Sequence, residues 1–299
     1  MATNKDLKHK IDDLKKEYDS LRQGKESLLD IVFEAELPES VYNSNAIENS
    51  TLTIAETEKI LLDLEVSRDV SVREVFEAKN LARVFEYIKD KVSTRNVDKD
   101  LILFLHKMLI SNIDESIAGR FRKQGEYVRV GTHVAPAPEQ LEAMLDAALV
   151  EYSANHTSYF LEKVSRFHLD FEHAHPFNDG NGRIGRVLIN YQLLQQGFPP
   201  IIIRDKEKKA YYRSFGEFRD KRKSTALDKV LASALMESLN KRITYMKGEK
   251  IIRVSDYAKR HNLSSSVLLN KAKRQTIPAF REKGVWKIGE ASKPRTKYE

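Results

Sequence analysis

Twelve consecutive residues, His175-Pro-Phe-Asn-Asp-Gly-Asn-Gly-Arg-Ile-Gly-Arg186, bring together a proton acceptor, a carboxylate, a glycine loop and two arginines. Chemistry on a polyphosphate needs each of these groups. Behind the loop, residues 183–196 are spaced as a helix: Ile184, Val187, Leu188, Tyr191 and Leu194 recur at helical intervals, and Gly197 with Pro199-Pro200 stops the run. Gly180, Asn181 and Gly182 therefore fall at a helix N-terminus, where unpaired backbone N–H groups and the helix dipole favour an anion. Arg183 and Arg186, three apart, share a face of the first turn and are expected to reach one phosphate chain. Asp179 is a candidate Mg²⁺ ligand, because that ion commonly takes one or two carboxylates together with substrate phosphates. His175 can take the proton of an attacking hydroxyl, since an imidazole is largely uncharged near neutral pH.

Three other readings compete with this one. Gly180-Asn-Gly-Arg-Ile-Gly185 also fits the dinucleotide fingerprint G-x-G-x-x-G, but that loop follows a buried strand. Here Val164, Phe167, His168 and Phe171 upstream are spaced as a helix face. A metal cluster of His168, His173, His175 and Asp179 is permitted by spacing, yet His168 shares the apolar face with Phe167 and Phe171 and reads as a hydrogen-bonded core residue. A plain connecting loop would not require all six residue types at once.

At these residues the chain resembles the Fic (filamentation-induced-by-cAMP) family, whose motif is H-x-F-x-[D/E]-G-N-G-R-x-x-R. His175, Phe177, Asp179, Gly180, Asn181, Gly182, Arg183 and Arg186 match every fixed position. The resemblance implies a helical domain that transfers AMP from Mg·ATP to a Ser, Thr or Tyr hydroxyl of a target protein, the chain itself included. Attack at the α-phosphate comes from the resemblance alone; the residues by themselves give a phosphate site with a base and a metal. Gly119 through Pro138 resembles the family's β-hairpin flap, in which Val128, Arg129, Val130, Gly131 and Thr132 would pair with an extended stretch of the target. Tyr211-Tyr212 lies where relatives place a ring against adenine, Tyr212 being the candidate, while Arg219 stands where many relatives carry an asparagine. Ser44-Asn-Ala-Ile-Glu48-Asn49 resembles the [S/T]-x-x-x-E-[G/N] pattern of members with an inhibitory helix, about residues 41–50. Ser44 and Glu48 are four apart, on one face, and Glu48 is expected to form a charge-assisted hydrogen bond with Arg186 that excludes a productive γ-phosphate. Some autoinhibited relatives also remove AMP, so the favoured direction stays open.

With 299 residues, 41% hydrophobic and 32% charged, the chain reads as a soluble globular protein. It has no cysteine, which excludes disulfides and thiolate metal sites. No signal-like segment opens it, and the most apolar window, Leu101–Ile110, is half a bilayer span, so a cytoplasmic location and no membrane partner are expected. The net charge of +7 is uneven: residues 241–299 carry 16 Lys and Arg against 5 Asp and Glu. A basic tail on a faintly acidic body suggests a second, polyanionic partner.

The fold class read from spacing is mainly α, a helical bundle with one extended flap. Leu7, Ile11, Leu14, Tyr18 and Leu21 form a heptad stripe, with a break expected at Pro38. Three heptads favour packing on the chain's own core over dimerisation, and a homodimer stays open. Further helices are expected at about 54–65, 70–92, 98–112, 138–154, 159–173, 209–219 and 225–246. In the tail, a short helix capped by Ser255, a second from Ser264 to about Arg274 and strands at 277–280 and 285–288 are similar to a winged helix-turn-helix. Its second helix would offer Ser265, Ser266, Asn270, Lys273 and Arg274 to duplex DNA. The domain division expected is 1–95 for an N-terminal helical region, 96–240 for the core and 250–299 for the winged module. The rival to an enzyme is a DNA-binding regulator with the nucleotide site as a sensor; an intact His175 favours the enzyme.

Overall fold

The computed structural model describes residues 4–290 apart from 65, 67, 93, 94 and 132. In chain order the elements are α1 (Asn4–Arg22), α2 (Glu26–Ile47), α3 (Ile54–Leu61), α4 (Val72–Lys91), α5 (Lys99–Ile110), β1 (Arg129–Val130), β2 (His133–Val134), α6 (Leu141–Ala154), α7 (Phe160–Ala174), α8 (Asn181–Gln195), α9 (Lys208–Lys221), α10 (Thr225–Met246), β3 (Lys250–Arg253), α11 (Val254–Arg260), α12 (Ser265–Lys273), β4 (Ala279–Glu282) and β5 (Val285–Glu290). The fold is mainly helical, as the spacing predicts. Among the described residues no helix is long and apolar enough to cross a membrane. The chain divides into two compact units, residues 37–231 and residues 1–36 with 232–299, so the N-terminal helix shares a unit with the basic tail rather than with residues 37–95.

Unit 37–231 is built around α8. Its residues from Ile184 to Leu193 are buried almost without exception. A helix buried on every side sits at the centre of a bundle, and α4, α5 and α7 pack against it, with α6 and α9 on α7. Local signals set the helix starts. Thr53 and Glu56 form a reciprocal capping box before α3, Ser71 caps α4 and Asp98 caps α5.

The other unit holds α1 and the module β3–α11–α12–β4–β5. Ile11 and Tyr18 of the heptad stripe are buried by the chain itself. The three strands form one antiparallel sheet in the order β3-β5-β4, over a core of Ile252, Val254, Ala258, Leu268, Ala272, Ala279 and Ile288. Glu36 is paired with both Lys241 (3.1 Å) and Arg242, and Arg281 with Glu237 (2.7 Å). These pairs satisfy charges that burial would otherwise penalise.

Three expectations need correction. The chain does not break at Pro38: α2 runs through it, and the turn falls earlier, at Gly24 in the left-handed region (φ 71°). A mid-helix proline costs about 3 kcal/mol, but burial of Val32, Val41 and Ile47 along α2 outweighs one lost N–H. Ser255 caps nothing; α11 starts at Val254, directly out of β3, with no side-chain cap, whereas Ser264 does accept from the Val267 N–H. The first wing strand lies two residues later than the spacing suggests, while the second starts at Val285 as expected and runs on to Glu290; Lys283-Gly284, with both φ angles positive, joins them, and β3 adds a third strand.

Candidate active site

The site begins where α7 ends. His175 closes α7 in the left-handed region (φ 48°, ψ 61°) and donates its N–H to Phe171 O at 2.9 Å. Such a conformation is uncommon for a residue with a β-carbon and must be held by its surroundings. Arg122 holds it. Its buried guanidinium donates Nε–H to His175 O (2.9 Å) and Nη2–H to Ala174 O (3.3 Å), and its backbone N–H reaches Pro176 O (2.9 Å). The same guanidinium donates to Glu126 O and Pro136 O, both at 2.9 Å, so one side chain ties the base to the ends of the flap.

The glycine loop is closed by its own side chains. Asn181 Oδ1 accepts from Phe177 N–H and Asn181 Nδ2 donates to Phe177 O, each at 2.8 Å. The Asn181 amide is therefore taken up by the loop, and what this residue offers a ligand is its backbone N–H. Gly180 is the N-cap of α8 at φ 82°, a conformation glycine adopts without strain. His106 lies flat on Phe177 with ring centroids 3.6 Å apart, and accepts the Gly119 N–H at Nδ1 (3.0 Å). That bond assigns the remaining proton to Nε2, which donates to Asp179 O at 3.0 Å. Burial pushes the His106 imidazole down to about 4, so it holds the loop as a neutral group.

The two arginines do not share a partner. Arg186, buried, donates Nε–H to Ser44 Oγ (2.9 Å) and Nη2–H to Ser44 O (2.8 Å), while Nη1 lies 2.9 Å from Glu48 Oε1 as a close ion pair rather than a well-aligned hydrogen bond. Arg183 turns to Glu77 and Asp179, each at 3.1 Å. In this arrangement each guanidinium is neutralised by its own carboxylates, Arg183 by Glu77 and Asp179 and Arg186 by Glu48. Asp179 also pairs with Arg73 and accepts the Gly180 N–H (2.6 Å). Burial works to raise its carboxyl, but Arg183, Arg73 and the Gly180 amide outweigh that and hold it below the usual range. Among the described residues no three His, Asp or Glu side chains are grouped to hold a metal, which sets aside the cluster of His168, His173, His175 and Asp179. His168 bonds Tyr211 OH at 2.7 Å, and burial pushes it down to about 3, as befits a core histidine.

Glu48 follows the last residue of α2, in the turn that Asn49 (φ 69°) completes. Glu74 fixes that turn by accepting from Thr51 N–H (2.6 Å) and Ser50 Oγ–H (3.0 Å). The Glu48 carboxylate is thereby set against the N-terminus of α8. A β-carbon added at Gly182 would fall 2.2 Å from Glu48 Oε1. A carboxylate here occupies a place suited to a phosphate oxygen, beside helix N–H groups and a guanidinium.

Glu48, Gly182, Arg186, His175, Tyr212, Arg129, Val130 and Gly131 line one cavity of about 690 Å³, joined by Glu172, His173, Lys208, Tyr211, Phe215, Phe218 and Arg219. Of the residues singled out from sequence for this site, Ser44, Asp179, Gly180, Asn181, Arg183 and Val128 lie outside its lining, and Thr132 lies outside the described residues. Tyr212 is 38% exposed and lines the cavity, with its hydroxyl donated to Ile47 O (3.1 Å) and Lys208 Nζ over its ring at 5.7 Å. The flap is a short antiparallel pair, Arg129 opposite Val134 and Val130 opposite His133. Ser265, Ser266, Asn270, Lys273 and Arg274 belong to the other unit, where all but Ser265 are exposed on or just after α12. Glu172, Arg122, His106 and Arg73 escaped the sequence reading. Only Glu172, one helical turn before His175, carried a spacing signal.

Residues 96–193 match the family described as Fic/DOC. The protein adenylyltransferase Fic of Nematostella vectensis is 30% identical over 213 residues, 70% of this chain and 49% of that protein. The protein of the same name in Aedes aegypti is 32% identical over 178 residues, 58% of this chain and 35% of that protein. The chain thus spans half or less of these relatives' length. A Fic domain containing signaling protein from Bacteroides thetaiotaomicron has a similar structure, with a TM-score of 0.69, 26% identity and coverage of 81% of this chain and 98% of that one. Fic-1 from C. elegans shares the fold, with a TM-score of 0.69, 24% identity and coverage of 80% and 71%.

Proposed function

We propose, from the premise that residues 96–193 are a Fic domain, that the chain is a protein adenylyltransferase, transferring AMP from ATP to a hydroxyl side chain of a protein and restrained by Glu48. One observation carries the reading. An acid sits at the anion-binding end of α8, paired with Arg186, in the cavity that also contains His175.

In the reaction His175 takes the proton of the attacking hydroxyl as its oxygen bonds the α-phosphorus and pyrophosphate leaves. Backbone N–H groups at the start of α8 and the Arg186 guanidinium bind the anionic chain once Glu48 withdraws. The Tyr212 ring stacks on the base, and residues 128–132 add an extended stretch of the target to the flap. Asp179 would hold a Mg²⁺ ion together with substrate phosphates once Arg73 and Arg183, which pair with it here, turn to those phosphates. When bound, the ion would neutralise charge building on the pyrophosphate. Incubation with ATP and Mg²⁺ is expected to add one AMP per modified hydroxyl residue by mass spectrometry, and excess EDTA to abolish the gain. An AMP adduct that formed equally well in EDTA would remove the metal from the scheme.

The exposed cations of α12 support a second property, duplex DNA binding by the winged module. Lys273→Ala with Arg274→Ala is expected to weaken duplex binding and to lower the salt slope by about one for each phosphate that is no longer neutralised. Unchanged affinity and slope would place the nucleic-acid surface elsewhere or nowhere.

A further inference from the structure

We propose that Glu172 is the positioning residue of His175: its carboxylate accepts a hydrogen bond from the imidazole Nδ1–H and so presents Nε2 to the hydroxyl that attacks the nucleotide. The inference rests on the adenylyltransferase reading of the same cavity. Glu172 stands on the last turn of α7, three residues before His175, with its Oε2 atom 3.9 Å from His175 Nδ1. Its side chain is 8% exposed and lines the cavity. The other oxygen, Oε1, is buried with no hydrogen-bond partner among the described residues. It lies against Gly185, where an added β-carbon would come within 2.6 Å of it, so a glycine on α8 makes the room this carboxyl occupies.

A buried carboxyl oxygen without a hydrogen-bond partner is unfavourable. The nearby charges explain why its partner is not engaged. Glu48 and Glu172 both face Arg186, and only Glu48 is in contact with it. Burial, and then the charge of Glu48, push the Glu172 carboxyl up to about 8, so in this arrangement it is protonated and accepts little from His175. Tyr211 and Tyr212 from α9 and His168 from α7 itself also face it, and His173, Lys208, Arg219 and Arg129 line the same cavity. Withdrawal of Glu48 removes one of the two causes and leaves the Arg186 charge opposing burial, which moves Glu172 toward its ionised form. The 3.9 Å gap exceeds hydrogen-bond length, and a small side-chain rotation closes it; contacts of this kind tighten in the reacting complex.

The proton inventory then closes. The hydroxyl oxygen forms its bond to the α-phosphorus while the bond to the bridging oxygen breaks, and pyrophosphate departs with the electron pair. The hydroxyl proton moves to Nε2, and the resulting imidazolium is held by the Glu172 carboxylate through Nδ1–H.

The test uses the full chain carrying Glu48→Gly as the parent, with kcat and KM for ATP measured across pH. Adding Glu172→Gln is expected to lower plateau kcat at least about tenfold. KM for ATP should stay within about twofold, because the missing interaction acts on proton transfer rather than on nucleotide binding. The acid limb of kcat/KM should move to lower pH: without its counter-charge the imidazolium gives up its proton more readily. Glu172→Asp should restore part of kcat and the position of the limb. Gln is close to isosteric with the protonated acid, and Glu172→Met supplies the same readings if the amide prevents folding. A Gln or Met variant with the parent's kcat and acid limb overturns the role of Glu172. A parent that transfers no AMP overturns the enzyme reading instead, and the two failures are distinct.

Discussion

His175→Ala should bind ATP as the parent does and transfer AMP at least about a hundredfold more slowly, the usual contribution of a positioned base. The site's geometry supports both halves of that statement. His175 contributes an imidazole to the cavity but none of the contacts of Arg186 or the α8 N-terminus, so nucleotide binding does not depend on it. Its backbone is held by Arg122 through three carbonyls in succession, Ala174, His175 and Pro176, and the substitution leaves all three bonds in place. Alanine takes φ 48° less readily than histidine, but the Arg122 bonds that hold this turn remain, so the loop should keep its shape. Nucleotide affinity measured alongside the rate separates loss of the base from loss of the fold. A variant that transfers AMP at the parent rate would take His175 out of the chemistry.

Glu48→Gly should act in the opposite direction and raise AMP transfer up to about a hundredfold, equivalent to lifting a bias of roughly 2.7 kcal/mol toward the closed arrangement. The carboxylate of Glu48 meets Arg186 and the Gly182 position together, so under this proposal a phosphate would compete with Glu48 for one place. Ser44 keeps its two hydrogen bonds to Arg186 when Glu48 is removed, which leaves the guanidinium oriented toward the cavity. Glu48 lies in a turn after α2 rather than inside it, and Glu74 anchors that turn through Ser50 and Thr51, so the substitution should cost little stability. Activation should therefore appear in the rate with little change in urea midpoint. Combining it with His175→Ala should return the chain to inactivity, because the freed site would then lack its base.

Local chemistry made much of this site readable from the chain. The anion loop was legible because glycines, a helix-periodic run and two arginines occur in unbroken sequence, and α8 does begin at Asn181 behind a left-handed Gly180. The four-residue spacing of Ser44 and Glu48 put both on one guanidinium, although Glu48 proved to lie just past the helix end. Long-range partners were not legible. Nothing in the sequence near Arg73 or Glu77 announces that they face Asp179 and Arg183 more than a hundred residues away. His106 sits in the most apolar window of the chain and reads as a core residue, yet it bridges Gly119 and Asp179. Pro38 misled for a different reason: a local breaker was overruled by burial along α2. In each case the deciding factor was tertiary packing, which propensity does not contain.

The most direct measurement is incubation of the Glu48→Gly chain with a protein acceptor and ATP labelled at either the α- or the γ-phosphate. Label retained on protein from the α position and absent from the γ position, at a rate well above that of the unsubstituted chain, is the result expected of an adenylyltransferase held by Glu48. Label retained from the γ position, or none from either, would contradict it.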